Sequence, residues 1–329
     1  MSWATLTGTV KLALLVALVV TLGAVGSASH THSWDLPPGV HAPDVPDVAA
    51  LTPARIELGR RLFYDARLSR NGQRACGACH RPEFAFTDGR PRAVGATGEL
   101  HSRGSMSLIN VAYRKALTWS NRSITTLEQQ ALVPMFGSHP VELGLEGHEP
   151  RVYEELAADP LYVRLFSDAF PGTDVTITRD KIVAAIAAFE RTIVSFRSPY
   201  DRYRFSGDAT ALTPAAARGG QLFASAKAAC AQCHAGLNFE GEAYPAGFTR
   251  GTHGRERTDI AEFRPPTLRN IARTAPYMHD GRHESLAEVL DAFDLSAAER
   301  DDLVAFLDGL TDVDALVDTR WSDPWRTPW

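Results

Sequence analysis

Cys76-Gly77-Ala78-Cys79-His80 and Cys230-Ala231-Gln232-Cys233-His234 decide how this 329-residue chain is read. Each is a C-x-x-C-H run, the attachment signature of c-type haem. Two thiols one helical turn apart can each bond a haem vinyl carbon, and the adjacent histidine then faces the ring as proximal iron ligand. One such run alone would also suit a zinc half-site or a redox dithiol. Two runs, each with its histidine in place, consume all four cysteines and leave none for disulfides. The expectation is two covalent haems, one on Cys76, Cys79 and His80 and the other on Cys230, Cys233 and His234.

Outward from these runs the chain reads as two copies of one unit. Thr52-Pro53 opens a helix with Ile56, Leu58, Leu62 and Phe63 at helical spacing, and the first run follows. Thr213-Pro214 opens another through Leu222 and Phe223, before the second run. Thr-Pro, then Leu-Phe, then C-x-x-C-H is an internal repeat. Gly59 and Gly219 precede the Leu-Phe pair in the two copies, where a missing side chain lets packed helices approach. Between the units a long helix is predicted over Arg179 to Phe196, with Ile182, Ala185, Ile186, Phe189 and Ile193 on one face. Ser198-Pro199-Tyr200 is read as its end. Ser296 is read as the cap of the last clear helix, whose Leu303, Phe306 and Leu307 face inward. Alternating strand patterns are scarce. The expected fold class is all-α: two cytochrome c-like domains packed together, each with one covalently bound haem c, under loops rich in Gly and Pro.

The N-terminus has a secretory layout. Lys11 precedes the apolar run Leu12 to Val20, and small residues follow through Ser29. The run is short for a membrane span, which needs about 20 residues. The chain therefore divides into a signal peptide at 1–29, a flexible leader at 30–50, an N-terminal haem domain at 51–200, a C-terminal haem domain at 201–315 and a tail at 316–329. Export to the periplasm is expected, with no stable membrane insertion after cleavage. The leader carries His30, His32 and His41 and reads as a solvated extension. The tail carries Trp321, Trp325 and Trp329 and is expected to tuck back onto the body. With 34 Lys and Arg against 39 Asp and Glu, the net charge of -5 argues against a nucleic-acid partner.

Several further motifs occur in a fixed order: Leu58-Gly59-Arg60-Arg61-Leu62-Phe63, Phe86-Thr87-Asp88-Gly89, Pro140-Val141-Glu142-Leu143-Gly144, Pro266-Thr267-Leu268-Arg269-Asn270 and Ala275-Pro276-Tyr277-Met278-His279-Asp280-Gly281. Together with the two haem runs they resemble the bacterial dihaem cytochrome c peroxidases and their relative MauG, over nearly the whole mature chain. Arg103-Gly104-Ser105-Met106-Ser107-Leu108 and Gln130-Ala131-Leu132-Val133-Pro134-Met135-Phe136-Gly137 look like the MbnH-type branch, whose members oxidise a tryptophan of a copper-binding partner to kynurenine.

The resemblance implies roles residue by residue. The haem at His80 would react with peroxide, with Glu142 as distal carboxylate and Gln130 and Pro134 at the other distal positions. Trp119 matches the tryptophan between the two haems, able to carry a hole from one to the other. His101 lies in the loop where the peroxidases keep a resting distal histidine, and is expected to be a loop histidine. The haem at His234 would serve as electron reservoir. Its second axial ligand is Met in the peroxidases and Tyr in MauG, but Phe293 occupies that place and cannot bind iron. Either Met278, His279 or His283 substitutes, or that iron is five-coordinate. Calcium between the haems is implied as well, with Thr274 and Pro276 matching its carbonyl donors and Gly104 standing where an asparagine ligand belongs. Arg269 and Asn270 would brace the haem propionates or their own loop.

The function implied first is a periplasmic dihaem oxidoreductase that reacts with hydrogen peroxide, forms a high-valent dihaem state and oxidises a tryptophan on a secreted copper-binding protein. The alternative is a cytochrome c peroxidase fed by a small redox protein. A second alternative, a non-enzymatic dihaem electron carrier, has no need of a distal acid.

Overall fold

The computed structural model describes residues 32–46, 50–241 and 263–326. Thr52 caps the first helix by accepting from the Arg55 N–H, and Pro53 fills the first helical position, so α1 (Pro53–Phe63) begins where the Thr-Pro pair predicts. Its repeat partner α7 (Pro214–Ala224) starts the same way, with Thr213 accepting from Ala216 N–H. Four helices follow α1 in the first half: α2 (Leu127–Phe136), α3 (Glu149–Ala157), α4 (Pro160–Ala169) and α5 (Arg179–Arg191). α6 (Pro199–Phe205) leads into α7, and α8 (Leu286–Leu290), α9 (Ala297–Asp308) and α10 (Val313–Leu316) complete the second half. Among the described residues there are only isolated β-bridges, two of which close the loops after the C-x-x-C-H runs at Arg81 with Thr87 and Ala235 with Glu240.

Each half is built on one helix pair crossing at a glycine. A Cβ on Gly59 would lie 1.8 Å from the Ala185 carbonyl oxygen of α5 and 2.9 Å from Phe189 Cβ. A Cβ on Gly219 would lie 1.9 Å from the Asp302 carbonyl oxygen of α9 and 2.9 Å from Phe306 Cβ. The two copies thus use the same contact, with helix backbone against helix backbone, and the close approach expected at both glycines is present. Around the first pair Leu58, Leu62, Phe63, Ile182, Ile186 and Phe189 bury almost completely, and around the second Phe223, Leu303, Phe306 and Leu307 do so.

The segment between the halves departs from expectation. The helix predicted over Arg179 to Phe196 stops at Arg191, and Ser198-Pro199 does not end it but starts α6. Ser198 and Asp201 form a capping box there, and Pro199 sits in the first turn, where its missing N–H costs nothing. The early stop has a tertiary cause. Asn110 N–H donates to the Ile193 carbonyl, and the Asn110 side chain accepts from Ser195 N–H at 2.7 Å and donates to Ser195 O at 3.2 Å. These bonds draw Ile193–Ser195 into extended backbone. From the other half, Asn270 Nδ2 donates to Ser195 Oγ at 3.0 Å and Asn270 Oδ1 accepts from Asp312 N–H at 2.8 Å. Both asparagines are fully buried with positive φ, 54° and 58°.

Both ends of the described chain pack on the body. His32 N–H donates to Leu51 O, Tyr113 Oη donates to His41 O, Asp35 pairs with Arg197 and Val40 is buried, so the leader over 32–46 is not a free extension. Residues 1–31, with the expected signal segment and His30, fall outside the described residues, as does Trp329. No helix of the described residues is long and apolar enough to cross a membrane. Trp321 is 3% exposed and joins the core of the first half with Ala315 and Leu316. Trp325 Nε1 donates to Arg61 O at 3.3 Å.

Replacing Gly59 or Gly219 by Ala overpacks a backbone contact, and each substitution is expected to destabilise by about 1–3 kcal/mol or more. Gly220→Ala is expected to be the milder change, because the added Cβ meets only the Phe306 ring, at 3.1 Å. Urea unfolding of the three variants reads the order; equal losses at 219 and 220 would contradict it.

Candidate functional site

The two C-x-x-C-H runs fold alike. Cys76–Ala78 and Cys230–Gln232 each form one 3-10 turn, and the histidine N–H closes it onto the first cysteine carbonyl, 3.0 Å for His80 and 2.9 Å for His234. His80 Nδ1 then meets the Phe86 carbonyl at 2.8 Å, and His234 Nδ1 meets the Phe239 and Pro266 carbonyls, both at 3.1 Å. A carbonyl partner places the proton on Nδ1 and frees Nε2 as the ligand atom. Burial lowers both imidazole pKa values, which keeps the rings in the neutral, ligating form.

The thiols differ from redox-active cysteines. Burial pushes Cys79 and Cys230 up to about 11 and raises Cys76 further. A reactive sulfur needs its thiolate favoured, not disfavoured. Among the described residues no group of three or more His, Cys, Asp or Glu side chains is placed to hold a metal ion. The donor set fits haem: a vinyl-spaced thiol pair beside an oriented, neutral imidazole, in each half.

At the first run a pocket partly open to solvent brings the predicted residues together. Cys76, Cys79 and His80 line it with Gln130, Pro134 and Glu142. Gln130 and Pro134 share one face of α2, and Pro134 lacks the N–H that would otherwise bond the Gln130 carbonyl. The Glu142 loop is pinned by Ala96 N–H to Glu142 O at 2.7 Å and Leu143 N–H to Pro134 O at 2.8 Å. Burial raises the Glu142 pKa, and the His101 ring beside it partly offsets this.

Two lining residues exceed the sequence reading. His101 does lie in a loop, but its ring is buried in this cavity and its Nε2 has no hydrogen-bond partner. Glu190 also lines the cavity, with Oε2 unpartnered, and burial pushes its carboxyl up to about 8. Its signal was a glutamate on the apolar face of α5, one residue after Phe189. The neighbouring Arg191 does not neutralise it, because that guanidinium is paired with Glu128 at 2.8 Å.

Trp119 bridges the halves. Its Nε1 donates to Gly104 O at 3.0 Å, its carbonyl accepts from Arg264 N–H at 2.9 Å, and its ring meets Phe263 edge-on at 6.2 Å. Phe263 stacks on His279 at 4.2 Å, which places His279 at the end of an aromatic row. Met278 precedes it with φ 73°, and His283 accepts from Tyr277 N–H through its carbonyl. Phe293 packs against the second core. Thr274 Oγ1 donates to Ile271 O, and Pro276 follows a cis bond. Gly104 offers no side-chain oxygen, and its N–H and carbonyl are engaged with His279 O and Trp119. Gly104 thus supplies no side-chain ligand to the expected calcium, which wants several oxygens and would rely on the Thr274 and Pro276 carbonyls. Arg269 pairs with Asp201 at 2.9 Å, both side chains 1% exposed, so it braces the start of α6, as Asn270 braces the Ser195 segment.

The family model described as di-haem cytochrome c peroxidase matches residues 53–210. The methylamine utilization protein MauG of Methylorubrum extorquens is 35% identical over 291 residues, 80% of each chain. The chain belongs to the di-haem cytochrome c peroxidase and MauG family. The cytochrome c551 peroxidase of Pseudomonas aeruginosa is 32% identical over 78% of each chain. A solved structure, of a MauG-like protein associated with microbial copper homeostasis, superposes with a TM-score of 0.83 at 36% identity, covering 90% of this chain and all of that one. Membership makes the protein a peroxide-dependent di-haem oxidoreductase and makes its all-α architecture a pair of cytochrome c domains.

Glu190 gives the protein a pH signature. Its carboxyl holds a proton more tightly folded than unfolded, between about 4.5 and about 8. Stability from this group is therefore full at low pH and lost as pH rises, by up to about 1.4 kcal/mol per pH unit. Glu190→Gln is expected to flatten that slope in urea unfolding followed across this range; an unchanged slope would count against the assignment.

Proposed function

We propose that this protein uses hydrogen peroxide at the His80 site to oxidise a tryptophan on a partner protein, working in the periplasm after export. The observation that carries the reading is the convergence of Glu142, Gln130 and Pro134 on the cavity of the first C-x-x-C-H run. Each haem is proposed to be covalent, through Cys76 and Cys79 with His80 behind the first, and Cys230 and Cys233 with His234 behind the second. Bound haem would supply the iron that meets peroxide and stores its two oxidising equivalents.

The chain's own residues do the rest. Reducing one peroxide to two waters consumes two electrons and two protons, so the pocket must move protons at the oxygen atoms. Glu142 is the group for this: its raised pKa brings the carboxyl closer to proton exchange at working pH, and such assistance contributes about 10²–10⁴-fold. Gln130 holds an amide beside it. Trp119, fixed by Gly104 on one side and Arg264 on the other, is held at the junction where electrons pass between the halves. A folded protein substrate cannot enter the pocket at the first run, so its tryptophan must be oxidised at a distance. The copper-homeostasis association of the MauG-like structure supports a small copper-binding protein as that partner.

A second reading has its own observation. The buried, unpartnered Nε2 of His101 lines the same cavity, as a resting distal ligand of a cytochrome c peroxidase would. Low-temperature EPR of the ferric haem-loaded protein separates the two. A high-spin signal lost on adding stoichiometric peroxide, slowed about 10²–10⁴-fold in Glu142→Gln, is expected. Two low-spin signals inert to peroxide, one becoming high-spin in His101→Ala, would favour the peroxidase. Trp119→Phe is expected to keep the peroxide reaction and slow oxidation of the partner's tryptophan, read by mass spectrometry.

A further inference from the structure

Arg114, Glu240 and Arg264 form a buried charge cluster between the two C-x-x-C-H runs that the proposed chemistry leaves unused. Arg114 Nε lies 3.2 Å from the Glu240 carboxylate, and Arg264 Nη1 lies 3.1 Å from it; the two arginine side chains are 3% and 2% exposed. Asn238 Nδ2 donates to the other Glu240 oxygen at 3.1 Å. Arg114 spends its remaining nitrogens on the Ser107 and Ile109 carbonyls. Arg264 does not. Its Nη1 is used on Glu240 and Pro265 O, while its Nε and Nη2 have no hydrogen-bond partner among the described residues.

Those two atoms form one edge of the guanidinium, the edge that grips a carboxylate with two parallel N–H bonds. The charge count demands such a guest: two cations against one carboxylate leave one positive charge in a dry place, costly until an anion pairs with it. The edge stands beside the second run. Pro266, two residues on, is the carbonyl partner of His234 Nδ1, and the Arg264 and Glu240 charges act in opposite directions on the His234 ring.

We propose that the free edge of Arg264 binds a propionate carboxylate of the haem at His234, and that the Arg114–Glu240–Arg264 cluster sets the reduction potential of that haem. The proposal rests on the haem assignment at His234. Its sign follows from charge. The ferric haem carries one more positive charge than the ferrous form, so a buried cation beside it disfavours oxidation and a buried carboxylate favours it.

Spectroelectrochemical titration of the haem-loaded full chain tests this. Arg264→Gln is expected to shift one haem's reduction equilibrium about tenfold toward the oxidised form, a fall of about 59 mV. Glu240→Gln is expected to shift the same haem by a similar factor in the opposite direction. Arg264→Lys, which keeps the charge but loses the paired edge, should fall between wild type and Arg264→Gln, with an altered propionate mode in resonance Raman spectra. Unchanged potentials, or shifts of the same sign in the Arg264→Gln and Glu240→Gln proteins, would overturn the proposal, since a merely structural role gives no opposed signs. Should Arg264→Gln fail to fold, the rise required of Glu240→Gln still decides. A double Cys230→Ala, Cys233→Ala variant that keeps both haems would instead refute the haem assignment itself.

Discussion

Two buried asparagines reach Ser195 from opposite halves of the molecule, and the relation of one cytochrome c unit to the other rests on that meeting. Asn110 exchanges hydrogen bonds with the Ser195 backbone, and Asn270 donates to its hydroxyl. Ser195 Oγ in turn donates to Asp312, which also accepts from Arg197 N–H. Asn110, Ser195, Asn270 and Asp312 are all nearly inaccessible to water, so a lost partner leaves a bare polar group at a cost of about 1–3 kcal/mol. The asparagines also sit on the turns that support the C-x-x-C-H loops. Ser107 Oγ donates to Ala85 O and Thr267 Oγ1 donates to Asn238 O, one bond in each half. Asn110 Nδ2 reaches across to Asn238, four residues past His234. The two proximal histidines are thereby held in one frame, which electron exchange between two metal centres requires.

The first cavity holds two carboxyl groups that burial shifts in the same direction and neighbours treat differently. Burial raises the Glu142 pKa, and the charge of His101 beside it opposes that rise. Glu190 has a cation next to it in sequence, but Glu128 has claimed that cation. Burial pushes the Glu190 carboxyl up to about 8, while Glu142 is the less deeply buried of the two and has His101 as its neighbour, so depth and company together distinguish the two acids.

What the sequence makes legible is what is decided within a few residues. Thr-Pro pairs mark helix starts because cap and first turn are local, and C-x-x-C-H states its chemistry in five residues. Gly59 and Gly219 were readable because the repeat presented the same residue at the same offset twice. The end of α5 was not readable: apolar periodicity continues through Ile193, and the bonds that pull the backbone out of the helix come from Asn110 and Asn270, far away along the chain. His101, Glu190 and Arg264 share that difficulty. Each is unremarkable in its own segment, and only the assembled structure shows a buried polar atom without a partner. The leader looked solvated because its composition is polar, yet its contacts with Leu51, Tyr113 and Arg197 come from groups it could not reveal alone.

The path of the final residues bears on how the first half is completed. Ala315, Leu316 and Trp321 complete the core of the first half, Trp321 stands edge-on to Phe86 at 6.3 Å, and Tyr64 Oη donates to the Trp321 carbonyl at 2.6 Å. Phe86 is the residue whose carbonyl orients His80, and Tyr64 packs on Gly77 inside the first C-x-x-C-H run. The first half, although earlier in the sequence, completes its proximal side with residues from the far end of the described chain. The wall beside His80 is thus a composite of both ends of the sequence, so folding of the first half is coupled to completion of the second.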